Sequence, residues 1–133
     1  MTITDLDHVV FNVADVERSL SFYRDRLGLH VERLDEFRAG SVKLPSLRIN
    51  ARTVIDLFPP AMHGDAPRGV NVNHIALTVT GSIDDVADEL ARVGITVEQR
   101  SEHNFGAQGY ASSLYIRDPD GNSIELRVYG DGG

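Results

Sequence analysis

From residue 7 to residue 13 apolar and polar positions alternate. Val9, Phe11 and Val13 fall on one side of an extended chain, and His8, Val10 and Asn12 on the other. A period of two predicts a half-buried strand. Asp15 then offers a helix N-cap with Glu17 in the first turn, where a carboxylate suits the helix dipole. Val16, Leu20, Tyr23 and Leu27 follow at helical spacing, and Gly28 stands where a left-handed residue closes a helix. The same sentence is spoken again 66 positions later, in residues 72–98. His8 falls on His74, Val13 on Val79, Gly28 on Gly94, Val31 on Val97 and Glu32 on Glu98. Ser82 and Asp85 open the second helix, Ile83, Val86, Leu90 and Val93 form its stripe, and Gly94 ends it.

Short alternating runs follow each glycine. They predict strands over 29–34, 41–49 and 53–58 in the first copy, and over 95–99, 111–117 and 123–129 in the second. The two last runs, TVIDLF at 53–58 and NSIELR at 122–127, are 69 apart and set Asp56 opposite Glu125. A three-residue insertion in the second copy accounts for the drift. Each copy thus reads β-α-β-β-β. Two copies are too few for a solenoid and predict a pseudo-twofold single domain over 1–133. Its first module spans about 5–58 and its second about 72–129. The Pro- and Gly-rich segment 59–71 connects them, DPDGN at 118–122 reads as a tight turn, and GDGG as a tail.

Composition narrows the chemistry. With 133 residues, 41% hydrophobic and 25% charged, the chain is an ordinary globular domain able to bury its own core. A net charge of −7 argues against nucleic acid and anionic membranes as partners. No stretch approaches the length of a membrane span and the start lacks the pattern of a signal peptide, so a cytoplasmic location is expected. Cysteine is absent, which removes thiol nucleophiles, disulfides and Cys-ligated metals. Any metal rests on histidine, carboxylate and water.

Placing the polar residues on the predicted strands gives such a site. If helices cover the uniformly apolar strand faces, His8, His74, Glu125 and Asp56 project from the opposite face and converge if the sheet curls. Two histidines and a carboxylate around open positions suit Fe, Mn, Ni or Zn. His30, His63 and His103 lack such partners; His63 reads as solvated connector, and His103 precedes NFGAQGY, which reads as a glycine-rich loop.

The openings LDHVVFNVADVERSLSFYRDRLGL and NHIALTV, with the closing DPDGNSIEL, resemble the vicinal oxygen chelate superfamily. That group includes glyoxalase I, bleomycin- and fosfomycin-resistance proteins, extradiol dioxygenases and methylmalonyl-CoA epimerase. The resemblance covers essentially the whole chain. It implies an α+β fold in which two βαβββ modules form a cup-shaped, partly closed eight-stranded barrel. It carries the metal positions onto His8, His74 and Glu125, and a ligand-or-base position onto Asp56, one methylene shorter than the family's Glu. Tyr115, ten residues before Glu125, resembles the Tyr–Glu pair of extradiol dioxygenases. Asn12 stands where glyoxalase I has an Arg, which disfavours that enzyme's own substrate. The implied function is a metal-dependent lyase, isomerase or ring-cleaving dioxygenase acting on a small molecule with vicinal oxygens. The alternative is a bleomycin-resistance-type protein that sequesters a small molecule without catalysis. Family members commonly form homodimers, and one is expected here. Arg48, Arg52 and Arg127, near the strands, are the candidates to hold an anionic substrate, whereas Arg18 and Arg24 read as solvated.

Overall fold

The computed structural model describes residues 1–64, 72–117 and 122–130. Most of the DPDGN segment, the later part of the connector and the tail beyond Gly130 lie outside the described residues. The chain forms two compact units, Met1–His8 with His74–Gly133, and Val9–Asn73. Strand β1 (Ile3–Asn12) passes from one into the other.

In the unit Val9–Asn73, helix α1 (Val16–Leu20) starts where the sequence places it. The Asp15 side chain accepts from the Arg18 N–H at 3.3 Å. The helix continues as a π-helical segment, Ser21–Arg26, in which the Leu27 N–H reaches the carbonyl of Phe22 at 3.1 Å. That wider turn shifts the phase of the apolar stripe. Val16 and Leu20 are buried against Leu47 and Leu57, but Leu27 swings out to 59% exposure. Gly28 closes the segment with φ +78°. Strands β2 (His30–Glu32), β3 (Ser46–Asn50) and β4 (Thr53–Phe58) lie in the order β2-β3-β4-β1, with Ser46 opposite Asp56. The predicted strand over 41–49 begins only at Ser46. Before it, Arg33 takes a left-handed conformation and leads into a helix the pattern did not announce, α2 (Leu34–Arg38). Its Leu34 and Phe37, three residues apart, pack on the core as one helical face. A short helix α3 (Pro60–His63) follows β4.

The other unit orders its strands β1-β5-β8-β7-β6 in a mixed arrangement. Strands β5 (Val72–Val79) and β8 (Ser123–Val128) are parallel, while β6 (Gln99–Gly106), β7 (Gly109–Arg117) and β8 are antiparallel. Helix α4 (Ile83–Arg92) is capped by Ser82, whose hydroxyl accepts from the Asp85 N–H at 3.1 Å. Val86 and Leu90 pack on Val79, Leu114, Leu126 and Val128. The helix ends at Arg92, so Val93 is left 67% exposed. The strand predicted at 95–99 starts instead at Gln99. The Ile95 N–H is used to close the helix on the Leu90 carbonyl at 2.9 Å. The stretch NFGAQGY, expected as a loop, is mostly strand: β6 and β7 form a hairpin turned by Ala107 and Gln108, with Gly109 at φ +103°. The result is the mixed α+β architecture the repeat predicts. Among the described residues no helix is long and apolar enough to cross a membrane.

Candidate metal centre

His8, His74 and Glu125 come from three consecutive strands of one unit, β1, β5 and β8. Parallel pairing sets Ala76 beside Glu125, two residues along from His74, so the side chains of His74 and Glu125 share a face. All three are buried, at 2%, 7% and 1% exposure. The Nε2 atoms of His8 and His74 are 3.3 Å apart, and Glu125 Oε1 lies 3.2 Å from the first and 3.1 Å from the second.

Two imidazole nitrogens and a carboxylate oxygen, each bearing a lone pair, repel unless a proton or a cation sits among them. Donors with bonds of about 2.1 Å to one metal at right angles stand about 3 Å apart. The observed triangle matches that spacing, so the residues fit a divalent ion. Among the described residues this is the one group of three or more His, Asp or Glu side chains placed to hold one.

A second ring of side chains fixes the first. Asp7 is fully buried, and its Oδ1 lies 2.7 Å from His8 Nδ1. Asp7 also accepts from the Ala107 N–H at 3.0 Å, from Thr78 Oγ1 at 3.4 Å and from the Tyr129 hydroxyl. Burial opposes its charge, but hydrogen bonds from His8, Tyr129 and Ala107 and the Arg127 charge outweigh it and hold the carboxyl below its ordinary range. An ionised Asp7 can only accept, so His8 Nδ1 carries a hydrogen, and the proton on Nε2 is the one a metal ion would displace. This carboxylate–histidine arrangement is the usual outer support of a metal-binding imidazole.

Arg127 performs the matching task for Glu125. Its side chain is wholly buried; Nη1 donates to Glu125 Oε2 at 2.7 Å, and Nη2 donates to the carbonyls of Asn104 at 2.9 Å and Gly109 at 3.1 Å. Ser113 Oγ donates to the same Oε2 at 2.8 Å. The guanidinium lies against Gly106, where a Cβ would stand 2.4 Å from Nη2; only glycine leaves that space. Burial again opposes the charge on Glu125, yet the hydrogen bonds from His74 and His8 and the nearby His8 and Arg127 charges hold its carboxyl far below the usual range.

Tyr129 closes the ring. Its hydroxyl donates to Asp7 and accepts from the Gln108 N–H at 3.1 Å and Arg127 Nε at 3.2 Å. Burial, then the hydrogen bond to Asp7, pushes its pKa up to about 12. A raised pKa means the neutral phenol is favoured by folding. Its stabilisation is complete below pH ~10 and is lost as pH climbs from there to about 12. Tyr129→Phe should therefore flatten the decline of stability between those values, as followed by urea unfolding at stepped alkaline pH. An unchanged slope would refute the assignment.

Of the other predicted residues, Tyr115 joins the centre. Its hydroxyl donates to Glu125 Oε1 at 3.1 Å and accepts from Asn104 Nδ2 at 3.1 Å, and its ring packs edge-on to His74. Asp56 belongs to the other unit, buried on β4, where its carboxylate accepts from Ser46 Oγ at 2.5 Å. Arg127, expected to meet an anionic substrate, is consumed internally, and Arg48 is paired with Glu32 at 2.8 Å. His63 is not simply solvated: Nε2 donates to the Val13 carbonyl at 2.9 Å. It lines a cavity of about 780 Å³ within its own unit, with Arg18, Phe22 and Arg26. His103 stacks on Tyr110 with centroids 4.0 Å apart. Asp7 and Gly106 went unread in the sequence. The signal for Asp7 was its place directly before a strand histidine.

A mixed sheet carries a buried His–His–carboxylate trio on adjacent strands, placed so that it could hold a divalent metal. The chain belongs to the Glyoxalase/Bleomycin resistance protein/Dioxygenase superfamily, whose family model matches residues 5–126. It is 31% identical over 129 residues to a virulence protein of Salmonella typhimurium, covering 97% of this chain and 87% of that one. It is 28% identical over 125 residues to a probable lactoylglutathione lyase of Synechocystis, covering 90% and 91%. In structure it resembles methylmalonyl-CoA epimerase from Mycobacterium tuberculosis, with TM-score 0.68, 23% identity and coverage of 96% and 89%. The last likeness speaks for the fold alone.

Proposed function

We propose that the chain is a divalent-metal-dependent enzyme acting on a small molecule that offers two neighbouring oxygens. The observation that carries this is the triangle of buried donor atoms 3.1–3.3 Å apart, with His8 fixed from behind by Asp7 and Glu125 by Arg127. His8, His74 and Glu125 would hold the ion, with Fe, Mn, Ni and Zn all compatible with the donor set. A bound ion supplies Lewis acidity that stabilises negative charge developing on the substrate's oxygens. The chain's own residues do the rest. Burial of the trio limits its contact with bulk water, which strengthens the charge interactions there. Tyr115 is placed to give or take a proton beside Glu125 Oε1, with Asn104 holding its hydroxyl. Asp56 enters as the candidate base of a lyase or isomerase reaction. A ring-cleaving dioxygenase is the second reading, favoured by the contact between Tyr115 and Glu125.

Metal analysis of protein purified without added metal tests the proposal. About one divalent ion per chain is expected, lost in His8→Ala. Iron would favour the dioxygenase, and nickel or zinc the lyase or isomerase. Protein that neither carries nor takes up metal refutes the reading and leaves the small-molecule-sequestering alternative. The homodimer expected from the family is checked by light scattering, where a monomeric mass ends it.

A further inference from the structure

We propose that Arg127 is a positioning residue that restricts Glu125 to a one-oxygen ligand and so keeps coordination positions open for substrate. This rests on the reading that His8, His74 and Glu125 hold a divalent ion. The two oxygens of Glu125 live in different surroundings. Oε1 faces His8, His74 and the Tyr115 hydroxyl. Oε2 receives Arg127 Nη1 at 2.7 Å and Ser113 Oγ at 2.8 Å, which fill its two lone-pair directions. Turning Oε2 to a metal would break both bonds and part the buried guanidinium from the nearer of its two carboxylates.

The guanidinium has nowhere else to go. Nη2 is bound to the Asn104 and Gly109 carbonyls and Nε to the Tyr129 hydroxyl. Its planar fork fills the space where Gly106 has no Cβ. A rigid planar donor set of this kind fixes a carboxylate's orientation as a lysine ammonium does not. Three single-atom protein donors leave three positions on a six-coordinate ion. A second oxygen from Glu125 would leave two, enough for vicinal oxygens and nothing further.

The experiment counts waters bound to Mn(II) in the loaded protein, from the broadening of its magnetic resonance lines in ¹⁷O-enriched water. Arg127→Met is expected to hold one water fewer than wild type. Gly106→Ala, which keeps the arginine but displaces it, should show the same loss. Ser113→Ala, the mildest change, should show a fractional loss and serves if the other two do not fold. A merely structural role for Arg127 would lower stability without altering this number. If wild type takes up no Mn(II), the metal reading itself fails. If wild type loads and the variants that fold keep its water count, the assignment of Arg127 is overturned while the metal reading stands.

Discussion

Replacing Arg127 with methionine is expected to cost about 3–5 kcal/mol of stability in metal-free protein, because one partner of a buried charge pair is removed. Arg127 is wholly buried and stands between two carboxylates, 2.7 Å from Glu125 and 3.5 Å from Asp7. Without it both carboxylates face each other with no permanent cation among the described groups around them. Ser113 and the Ala107 N–H still donate to them but bring no charge. A divalent ion would bring that charge back. The variant should therefore gain more from metal than wild type does, since a ligand that binds only the folded state stabilises it in proportion to its affinity. Urea unfolding with chelator and with Mn(II) reads both numbers. The idea fails if Arg127→Met is as stable as wild type without metal, or if metal stabilises both proteins equally.

What the sequence disclosed and what it hid follow from how far each physical rule reaches. Alternation along a strand assigns faces by a period of two, and a repeat assigns the same face twice. That is why the pattern alone brings His8, His74 and Glu125 together. The same rule misled about Asp7, since neighbouring strand residues point to opposite faces, yet its carboxylate reaches the Nδ1 atom of the next residue's ring. The same alternation puts Arg127 on the face of Glu125, two residues further along. Its fate was misjudged because proximity of a buried carboxylate decides whether an arginine meets ligand or protein, and no pattern states that distance. Gly106 looked like loop material in a glycine-rich stretch. Its demand is steric and comes from a side chain 21 residues further along. Helix α2 was missed because Leu34 and Phe37 sit in a run too short for a helical period to separate from strand.

The outer support of His8 leads to the second large effect. Asp7→Asn is expected to weaken metal binding about 10–100-fold, the usual consequence of removing the partner of a metal-bound histidine. The asparagine oxygen can still accept from His8 Nδ1, so the ring is not set free. What changes is the charge and the other side of the group. An amide nitrogen would replace the oxygen that now accepts from Thr78 and the Tyr129 hydroxyl. Donor would then meet donor, and the Thr78 and Tyr129 hydroxyls would lose a common acceptor in a buried place. The imidazole would be less basic at Nε2 and less firmly aimed. His8→Ala sets the upper limit, because it deletes the donor itself. Competition against a coloured chelator measures all three proteins on one scale. Wild type should bind most tightly, Asp7→Asn about one to two orders of magnitude less so, and His8→Ala least. If Asp7→Asn binds like wild type while His8→Ala does not, the carboxylate's role is confined to the fold, and its loss should then appear in unfolding measurements alone.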